Sequence, residues 1–245
     1  MTDPGAAARD QVRIEFGAER DVSRVRELAG GGRAVEVAPE RVAGWFERFA
    51  ASHGGAARTT AEPRKVLVTA EDGATATVAV PFEPLPPPHG EHPGLAVSSL
   101  VEHVARSRRI GLVLVRLGAH SIGVAVDGVV QSSTTDRHLV HGRNKAGGQS
   151  QQRFARRREG QSARSLASAA DAVARALLPV AGELDAVVLG GDRQALQALH
   201  EDTRLTSLFD RAEARVLDVP EPRRAVLDEA AKRAVAVEIE VRDPR

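Results

Sequence analysis

Cysteine and tyrosine are absent from the 245 residues, and aromatic residues make up only 3% of them. Without cysteine, disulfide bonds and thiolate metal ligands are excluded, which agrees with a cytoplasmic protein. The scarcity of aromatic residues means that the core must consist mostly of Val, Leu and Ala. Lysine occurs only as Lys65, Lys145 and Lys232, so arginine carries almost all of the positive charge.

Long apolar segments are also missing. No apolar run reaches the roughly 18 residues of a membrane span, and the N-terminal MTDPGAAARD lacks the apolar stretch of a signal peptide. Hydrophobic residues amount to 42% and charged residues to 27%, as in ordinary globular proteins. We therefore expect a cytoplasmic protein with no membrane partner and a core large enough for one or two domains.

The first part of the chain favours a small α+β region at residues 1–90. Residues 39–52 have helical spacing, with Val42, Trp45, Phe46 and Phe49 on one face. That aromatic stripe predicts a core-facing helix, with a docking surface as the alternative. Two β-branched runs, at 65–69 and 74–80, flank an Asp-Gly hairpin signal.

A proline-rich stretch follows at residues 81–90 (PFEPLPPPHG). Proline fixes φ and lacks the backbone donor, so this stretch cannot form a helix or a central strand. We interpret it as a stiff linker and predict a domain boundary there, with the second domain at residues 91–245.

The second part has an alternating pattern of strands and helices. The run IGLVLVRL at 110–117 is typical of a buried central strand. The order of elements predicts an α/β fold with a ribonuclease-H-like mixed sheet and flanking helices. The expected elements are a helix at 97–108, strands at 110–117, 120–130 and 131–140, a helix at about 151–178, a strand at 184–189, a helix at 193–200, a turn at 205–209, a strand at 215–219, and a last helix from 222 to 236 or beyond, whose VAVEIEV ending could equally be a strand.

Positive charge is concentrated between residues 137 and 164, although the net charge of the chain is only +1. Glu159 is the one acid in this stretch. The basic residues there are Arg137, Arg143, Lys145, Arg153, Arg156, Arg157, Arg158 and Arg164. A solvated helix face is one interpretation, but acids are mixed with arginine in other helices and not here. The pattern favours a phosphate-backbone partner.

A Gly-Gly-Gln tripeptide lies within this basic stretch. Gly147 and Gly148 allow backbone conformations with positive φ and close approach to a ligand. The amide of Gln149 does not titrate, so it can donate and accept hydrogen bonds but cannot be an ordinary general base. Ser150 is a candidate N-cap for the helix that follows. Alone, the tripeptide is better explained as a flexible turn before a capped helix.

The surrounding sequence, HGRNKAGGQSQQRFARRR at residues 141–158, resembles the GGQ-bearing middle domain of archaeal and eukaryotic class-I release factors. The match comprises GGQS, a two-residue gap and then RFAR, and it extends more loosely over residues 95–235. The resemblance implies a release-factor middle-domain fold. Asn144 and Lys145 lengthen the loop relative to the family, so the alignment before Ala146 is left open.

The resemblance implies that this loop enters the peptidyl-transferase centre and hydrolyses peptidyl-tRNA. Gly147 and Gly148 would hold the backbone that places Gln149 at the ester, where it positions water and supports the developing charge. Arg143, Arg153 and Arg156 match arginines of the family. Charge and helix position add further RNA-binding candidates, which are Lys145, Ser150, Arg157 and Arg158. No metal and no cofactor are expected.

Within that superfamily the chain resembles the Vms-like release factors of ribosome quality control, in their actinobacterial form. Residues 1–90 are too short for a stop-codon-reading domain of the usual size, we expect no C-terminal partner-binding domain, and there are no cysteines for a zinc domain. We therefore expect rescue of stalled chains rather than codon-specific termination. The expected partners are the large ribosomal subunit, through its rRNA, and peptidyl-tRNA, with the protein acting as a monomer.

Two other functions remain open. A tRNA endonuclease acting near the acceptor end could use the same fold, but two-metal cleavage needs carboxylates clustered around ions about 4 Å apart. Asp127, Asp136 and Asp185 are scattered in sequence. A non-catalytic ribosome- or RNA-binding protein is the other alternative, against which the intact GGQ argues. The histidine pairs His89/His92 and His138/His141 have no further ligand pattern to suggest zinc.

Overall fold

The computed structural model describes residues 24–137 and 149–244, and for residues 149–159 it describes the main chain alone. The described chain forms two compact units. The first lies within Met1–Ala105 and Ala236–Arg245, and the second within Arg106–Val235. The second unit is therefore inserted into the sequence of the first.

The helices and strands follow one another in this order. In residues 24–105 they are β1 (Val25–Glu27), β2 (Arg33–Val37), α1 (Val42–Ser52), β3 (Ala56–Ala61), β4 (Lys65–Ala70), β5 (Thr75–Ala79), β6 (Gly90–Pro93) and α2 (Ser98–Val104). Thereafter they are β7 (Arg109–Arg116), β8 (Ala119–Val126), β9 (Val129–Arg137), α3 (Gln149–Leu177), β10 (Ala186–Gly191), α4 (Arg193–His200), α5 (Thr206–Phe209), β11 (Ala212–Leu217), α6 (Arg224–Val235) and β12 (Val237–Arg242). None of the described helices is both long and apolar enough to cross a bilayer.

The first unit is an antiparallel sheet of seven strands in the order β1-β2-β12-β5-β4-β3-β6. Its strands alternate between buried and more exposed residues, as β4 does with Val66, Val68 and Ala70 facing inward. Helix α1 packs Phe46 and Phe49 into the same core. The predicted core-facing role of this aromatic helix is confirmed, and the alternative of a docking surface is not needed to explain it.

The turn between β4 and β5 is the predicted Asp-Gly hairpin. Gly73 has φ +90°, and the Asp72 carboxylate accepts a hydrogen bond of 2.9 Å from the Ala74 N–H. Nδ1 of His53, which follows α1, lies 2.8 Å from the other Asp72 oxygen. The Ala74 N–H and then the His53 side chain lower the pKa of Asp72. The hairpin is thereby tied to the end of α1.

The proline-rich stretch belongs to the first unit. Leu85 is 1% exposed in its core, and the Leu85 N–H donates to the Pro63 carbonyl over 2.7 Å. Strand β6 pairs with β3, and α2 buries Leu100 and Val104 in the same core. The passage between the units therefore lies at residues 105–106, beyond the predicted boundary at 90–91. The difference arises because the single leucine among the prolines anchors the stretch.

The second unit contains a five-stranded mixed sheet in the order β11-β10-β7-β8-β9. Strands β7, β8 and β9 form an antiparallel meander, whereas β10 is parallel to β7 and β11 is parallel to β10. This arrangement confirms the predicted ribonuclease-H-like sheet. Strand β7 lies at its centre, which explains why IGLVLVRL is apolar on both faces.

Helices cover both faces of this sheet. On one face Val113, Ile122 and Val124 pack with α3 and α4. On the other face α6 approaches β8 closely, since a Cβ added at Gly123 would lie 2.9 Å from Cδ2 of Leu227. The three layers give the long helix α3 a rigid base.

In the second half of the chain, one predicted strand proves to be divided by a turn, and the segment left undecided proves to be a strand. The strand predicted at 120–130 is divided by a turn at Asp127-Gly128, where φ is +50° and +77°, so Val129 already belongs to the third strand. Asp-Gly is itself a two-residue hairpin signal that the apolar flanks concealed. The VAVEIEV ending, left open between helix and strand, forms β12 in the sheet of the first unit.

Substitution of Gly191, at the end of β10, tests the close contact between β10 and β7. The φ of Gly191 is +108°, and an added Cβ would lie 2.2 Å from the Val115 carbonyl oxygen. Gly191→Ala should therefore lower the free energy of unfolding by about 2–3 kcal/mol, measured by urea denaturation. Gly182→Ala is the matched control, because nothing lies within 4 Å of its added Cβ. Equal effects of the two substitutions would contradict the contact.

Candidate functional site

The predicted catalytic and RNA-binding residues lie between β9 and the first turns of α3. Gln149 is the first residue of α3, directly after Gly147-Gly148. Ser150, predicted as the N-cap, is therefore inside the first turn, a shift of the size common at helix ends. Arg143, Lys145, Gly147 and Gly148 lie outside the described residues. Arg153, Arg156, Arg157 and Arg158 lie on α3 where the main chain alone is described.

The loop leaves the sheet at a chemically relevant end. Strand β9 ends at Arg137, which pairs with Ala119 at the start of β8, and Ala119 in turn pairs with Arg116 at the end of β7. The carboxyl end of β10 lies beside that of β7, with Gly191 opposite Val115. Ligands of open α/β sheets usually bind outside the carboxyl ends of parallel strands. The chain thus enters the glycine loop at the end of the sheet where such sites form.

Helix α3 is anchored at its C-terminal half. Among its described side chains, Ser165 is the first that is buried, and Ala169, Ala172, Val173 and Leu177 follow towards the C-terminus. At 1.5 Å per residue, the helix from Gln149 to Ser165 spans about 24 Å. Gln149 is therefore separated by several helical turns from the part of α3 that packs on the sheet.

An ion pair holds the C-terminal half of α3 to the rest of the unit. Nη1 of Arg204 lies 2.9 Å from Oδ1 of Asp171 on α3, and the same guanidinium contacts Asp202 at 2.6 Å. The hydrogen bonds from Arg204 lower the pKa of Asp202. Because these groups are exposed to solvent, the pair contributes orientation more than stability.

Polar side chains at the end of β9 connect it with the segment before α6. Nε of Arg137 lies 3.2 Å from Oε1 of Glu221, and Nη2 of Arg223 approaches the same oxygen at 3.5 Å. Arg224 donates to Oγ of Ser133 over 3.0 Å. No local pattern predicts these contacts, because the partners are far apart along the chain. They fix the point at which the chain leaves the sheet.

The three aspartates considered for a nuclease have separate structural roles. Asp127 accepts from the Ser107 hydroxyl and the Arg108 N–H, both at 2.9 Å, and Asp185 accepts from the Arg109 N–H at 2.7 Å. Asp136 lies opposite His120, near the other end of β8. At about 3.3 Å per residue, roughly 20 Å separates it from Asp127. These aspartates do not converge on one two-metal site.

Of the histidines considered for zinc, the structure describes His89 and His92. Nε2 of His89 lies 2.9 Å from the Leu85 carbonyl oxygen, and His92 is on the edge strand β6. His138 and His141 lie outside the described residues. Within the described ranges, no group of three or more potential ligands among His, Asp and Glu comes together.

The packing of α3 against the sheet generates a testable prediction. Ala172 is 1% exposed between α3 and the sheet, so Ala172→Leu should overpack this interface and lower the free energy of unfolding by about 1–3 kcal/mol. Ala167, on the same helix, is exposed, and Ala167→Leu should change stability little. Chemical denaturation of both variants measures the difference, and a neutral Ala172→Leu would mean that α3 is not closely seated.

A known protein family matches the region of the chain that contains this site. A model of the family described as "Actinobacteria/chloroflexi VLRF1 release factor" matches residues 108–240, more than half of the chain. No curated protein matches the sequence.

Among solved structures, the chain is similar to an archaeal translation termination factor, aRF1, with 19% identity and a TM-score of 0.39, over 71% of this chain and 48% of that one. It is also similar to a structure described as an archaeal protein, with 19% identity and a TM-score of 0.29, over 66% of this chain and 48% of that one. The chain thus spans about half the length of these archaeal proteins.

Proposed function

Since the chain belongs to the release-factor family of Actinobacteria and Chloroflexi that matches residues 108–240, we propose that it hydrolyses peptidyl-tRNA and so releases nascent chains from stalled large ribosomal subunits. Membership of this family gives the chain a release-factor-like role in translation. We further propose that the reaction takes place in the cytoplasm and that the protein binds the large subunit as a monomer.

One observation carries the proposal, namely the position of Gln149. It follows two glycines and is the first residue of α3, a helix of 29 residues whose C-terminal half is packed on the sheet. Glycines at 147 and 148 permit backbone conformations that other residues adopt only with strain. An amide at the start of a long anchored helix is suited to reach into a narrow, RNA-lined centre.

The proposed chemistry is hydrolysis of one ester bond. The oxygen of water attacks the carbonyl carbon of the peptidyl ester, and the bond from that carbon to the terminal ribose oxygen of the tRNA breaks. The ribose oxygen takes up one proton of the water, so the tRNA leaves with a free hydroxyl, and the other proton passes to solvent as the peptide leaves as a carboxylate. Gln149 orients the water and supports the charge on the carbonyl oxygen through its side-chain amide and its backbone N–H. Gly147 and Gly148 hold it in place.

Positive charge near the loop supplies the contacts with rRNA. The proposed contacts are Arg143, Lys145, Ser150, Arg153, Arg156, Arg157 and Arg158. Arginine and lysine bind phosphate without regard to base sequence, and they fix the register of a protein on RNA. Such contacts bring the tip to the ester without taking part in the reaction.

Replacement of Gln149 tests the catalytic role. Gln149→Ala should reduce peptide release by about 100-fold or more, the size of the loss when one preorganised donor is removed, while binding to the subunit is retained. The assay is release of a labelled nascent peptide from purified large subunits that carry peptidyl-tRNA. Gln151→Ala is the matched control, because it removes the same side chain two positions along the helix. Unchanged release by Gln149→Ala would remove this residue from the mechanism.

The same reaction separates hydrolysis from cleavage of the tRNA. Ester hydrolysis leaves full-length tRNA with a free terminal ribose, whereas a nuclease acting near the acceptor end leaves a shortened tRNA and a short 3′ fragment that is still joined to the peptide. Gel analysis of the tRNA after the reaction distinguishes them. A shortened product would overturn the proposed reaction, and a protein that binds but yields neither product would be a non-catalytic binder.

Charge reversal tests the RNA contacts. The double variant Arg156→Glu and Arg157→Glu should weaken binding to large subunits, with the largest difference at low salt, because each phosphate contact releases condensed counterions. Binding measured over a series of salt concentrations gives this dependence. Arg175→Glu, at the far end of α3, is the control. Wild-type binding that did not vary with salt would show that these arginines face solvent.

A further inference from the structure

Helix α3 has two faces, and the described side chains fix their phase. The buried residues follow the helical repeat on one side of α3, and they are Ser165, Ala169, Ala170, Ala172, Val173 and Leu177. The opposite side is exposed at Arg164, Ala167 and Arg175. At 3.6 residues per turn, Arg164 lies roughly half a turn from the centre of the buried stripe.

The main chain is helical without interruption from Gln149, so the same phase extends to the N-terminus. The repeat of about 100° per residue places positions 149, 153, 156, 157 and 160 on the side of Arg164. We call Arg153, Arg156, Arg157, Gly160 and Arg164 the arginine face. Arg158 lies about 140° from Arg153 and therefore off this face, and the acid Glu159 is off it as well.

Gly160 interrupts the arginines of this face. Glycine within a helix is less stable than alanine, so it usually has a reason in packing. Among the described residues no packing reason is present, because none of their atoms lies within 4 Å of a Cβ added at Gly160. The open position removes a side chain midway between Arg157 and Arg164. A glycine there lets a ribose-phosphate backbone come close to the helix axis while arginines on either side reach its phosphates.

The arginine face ends at a carboxylate. Asp171 is in the same phase as Arg164, two turns further along, and it pairs with Nη1 of Arg204 at 2.9 Å. On the arginine face of α3, basic side chains therefore outnumber acidic ones only in the segment before Asp171. Arg175 shares the phase but lies beyond this acid.

We propose that a ribose-phosphate backbone of rRNA runs along the arginine face, crosses α3 at Gly160 and makes its last contact at Arg164. This inference rests on the proposed function and names the surface and the part of the RNA that the helix binds. Gln149 lies on the same side of the helix, so the strand that holds the arginine face also sets the rotation of the tip about the helix axis. Arg158 lies off the arginine face, so the contact proposed for it is with rRNA outside this strand.

Single arginine substitutions test the face against charge alone. Binding to purified large ribosomal subunits is measured at several salt concentrations for Arg164→Gln and Arg175→Gln. Each lost phosphate contact should reduce the slope of log K against log salt by about 0.7–0.9. We expect that reduction for Arg164→Gln and an unchanged slope for Arg175→Gln. Equal reductions for the two variants would overturn the assignment.

Side chains of different size at position 160 test whether the RNA backbone crosses α3 at Gly160. Gly160→Leu should weaken binding by about 10-fold, whereas Gly160→Ser should change it less than about 2-fold. Leucine favours a helix more than serine or glycine does, so loss of helix cannot explain such an order. Circular dichroism confirms the helix content of each variant. Wild-type affinity in Gly160→Leu would show that no backbone passes there.

The two proposals fail in different assays. A wild-type protein that binds subunits with a steep salt dependence and releases no peptide would sink the proposed reaction and leave the arginine face intact. Release of peptide together with salt-independent binding would support the proposed reaction and overturn the RNA contact of the arginine face.

Discussion

The seating of the C-terminal half of α3 on the five-stranded sheet is the constraint on which the candidate site depends. In proteins most of the stability of a helix comes from packing one of its faces, and here the packed face is made of small residues such as Ala169 and Ala172 against β7 and β8. Small side chains let the helix come close to the strands. The N-terminal half of α3 then inherits both its direction and its phase from this contact. The position of Gln149 is thus set by residues that are remote from it in sequence and ordinary in type.

Much of the fold follows from local patterns. The continuous apolar run of β7 predicted a central strand, because a strand between two helical layers has no polar face. The helix predicted at 193–200 has the same bounds in the structure, where the Asp192 carboxylate caps its start by accepting from the Gln194 N–H at 2.8 Å. The errors have physical causes. Apolar flanks concealed the Asp127-Gly128 turn, and Leu85 ties a stretch to a core that its prolines alone would not reach.

Some features of the candidate site could likewise be predicted from local patterns, and others depend on tertiary contacts. The motif around Gln149 could be read from consecutive residues, as could the excess of arginine after it. The phase of α3 relative to the sheet could not, because it depends on which of many alanines is buried. The contacts of Arg137 with Glu221 and of Arg224 with Ser133 join segments with no common pattern. The separation of Asp127 from Asp136 likewise emerges only when the register of β8 and β9 is known.

Strand β12 lies between β2 and β5, in the interior of the sheet of the first unit, yet it comes after the whole second unit in sequence. Until β12 has been synthesised, β2 and β5 each have an unpaired edge, with apolar residues of the future core beside it. The five-stranded sheet, in contrast, draws on one continuous segment of chain. During translation the second unit can therefore complete its fold while the first is still open. A chain truncated before residue 237 would contain all of the second unit but only an incomplete and aggregation-prone sheet in the first.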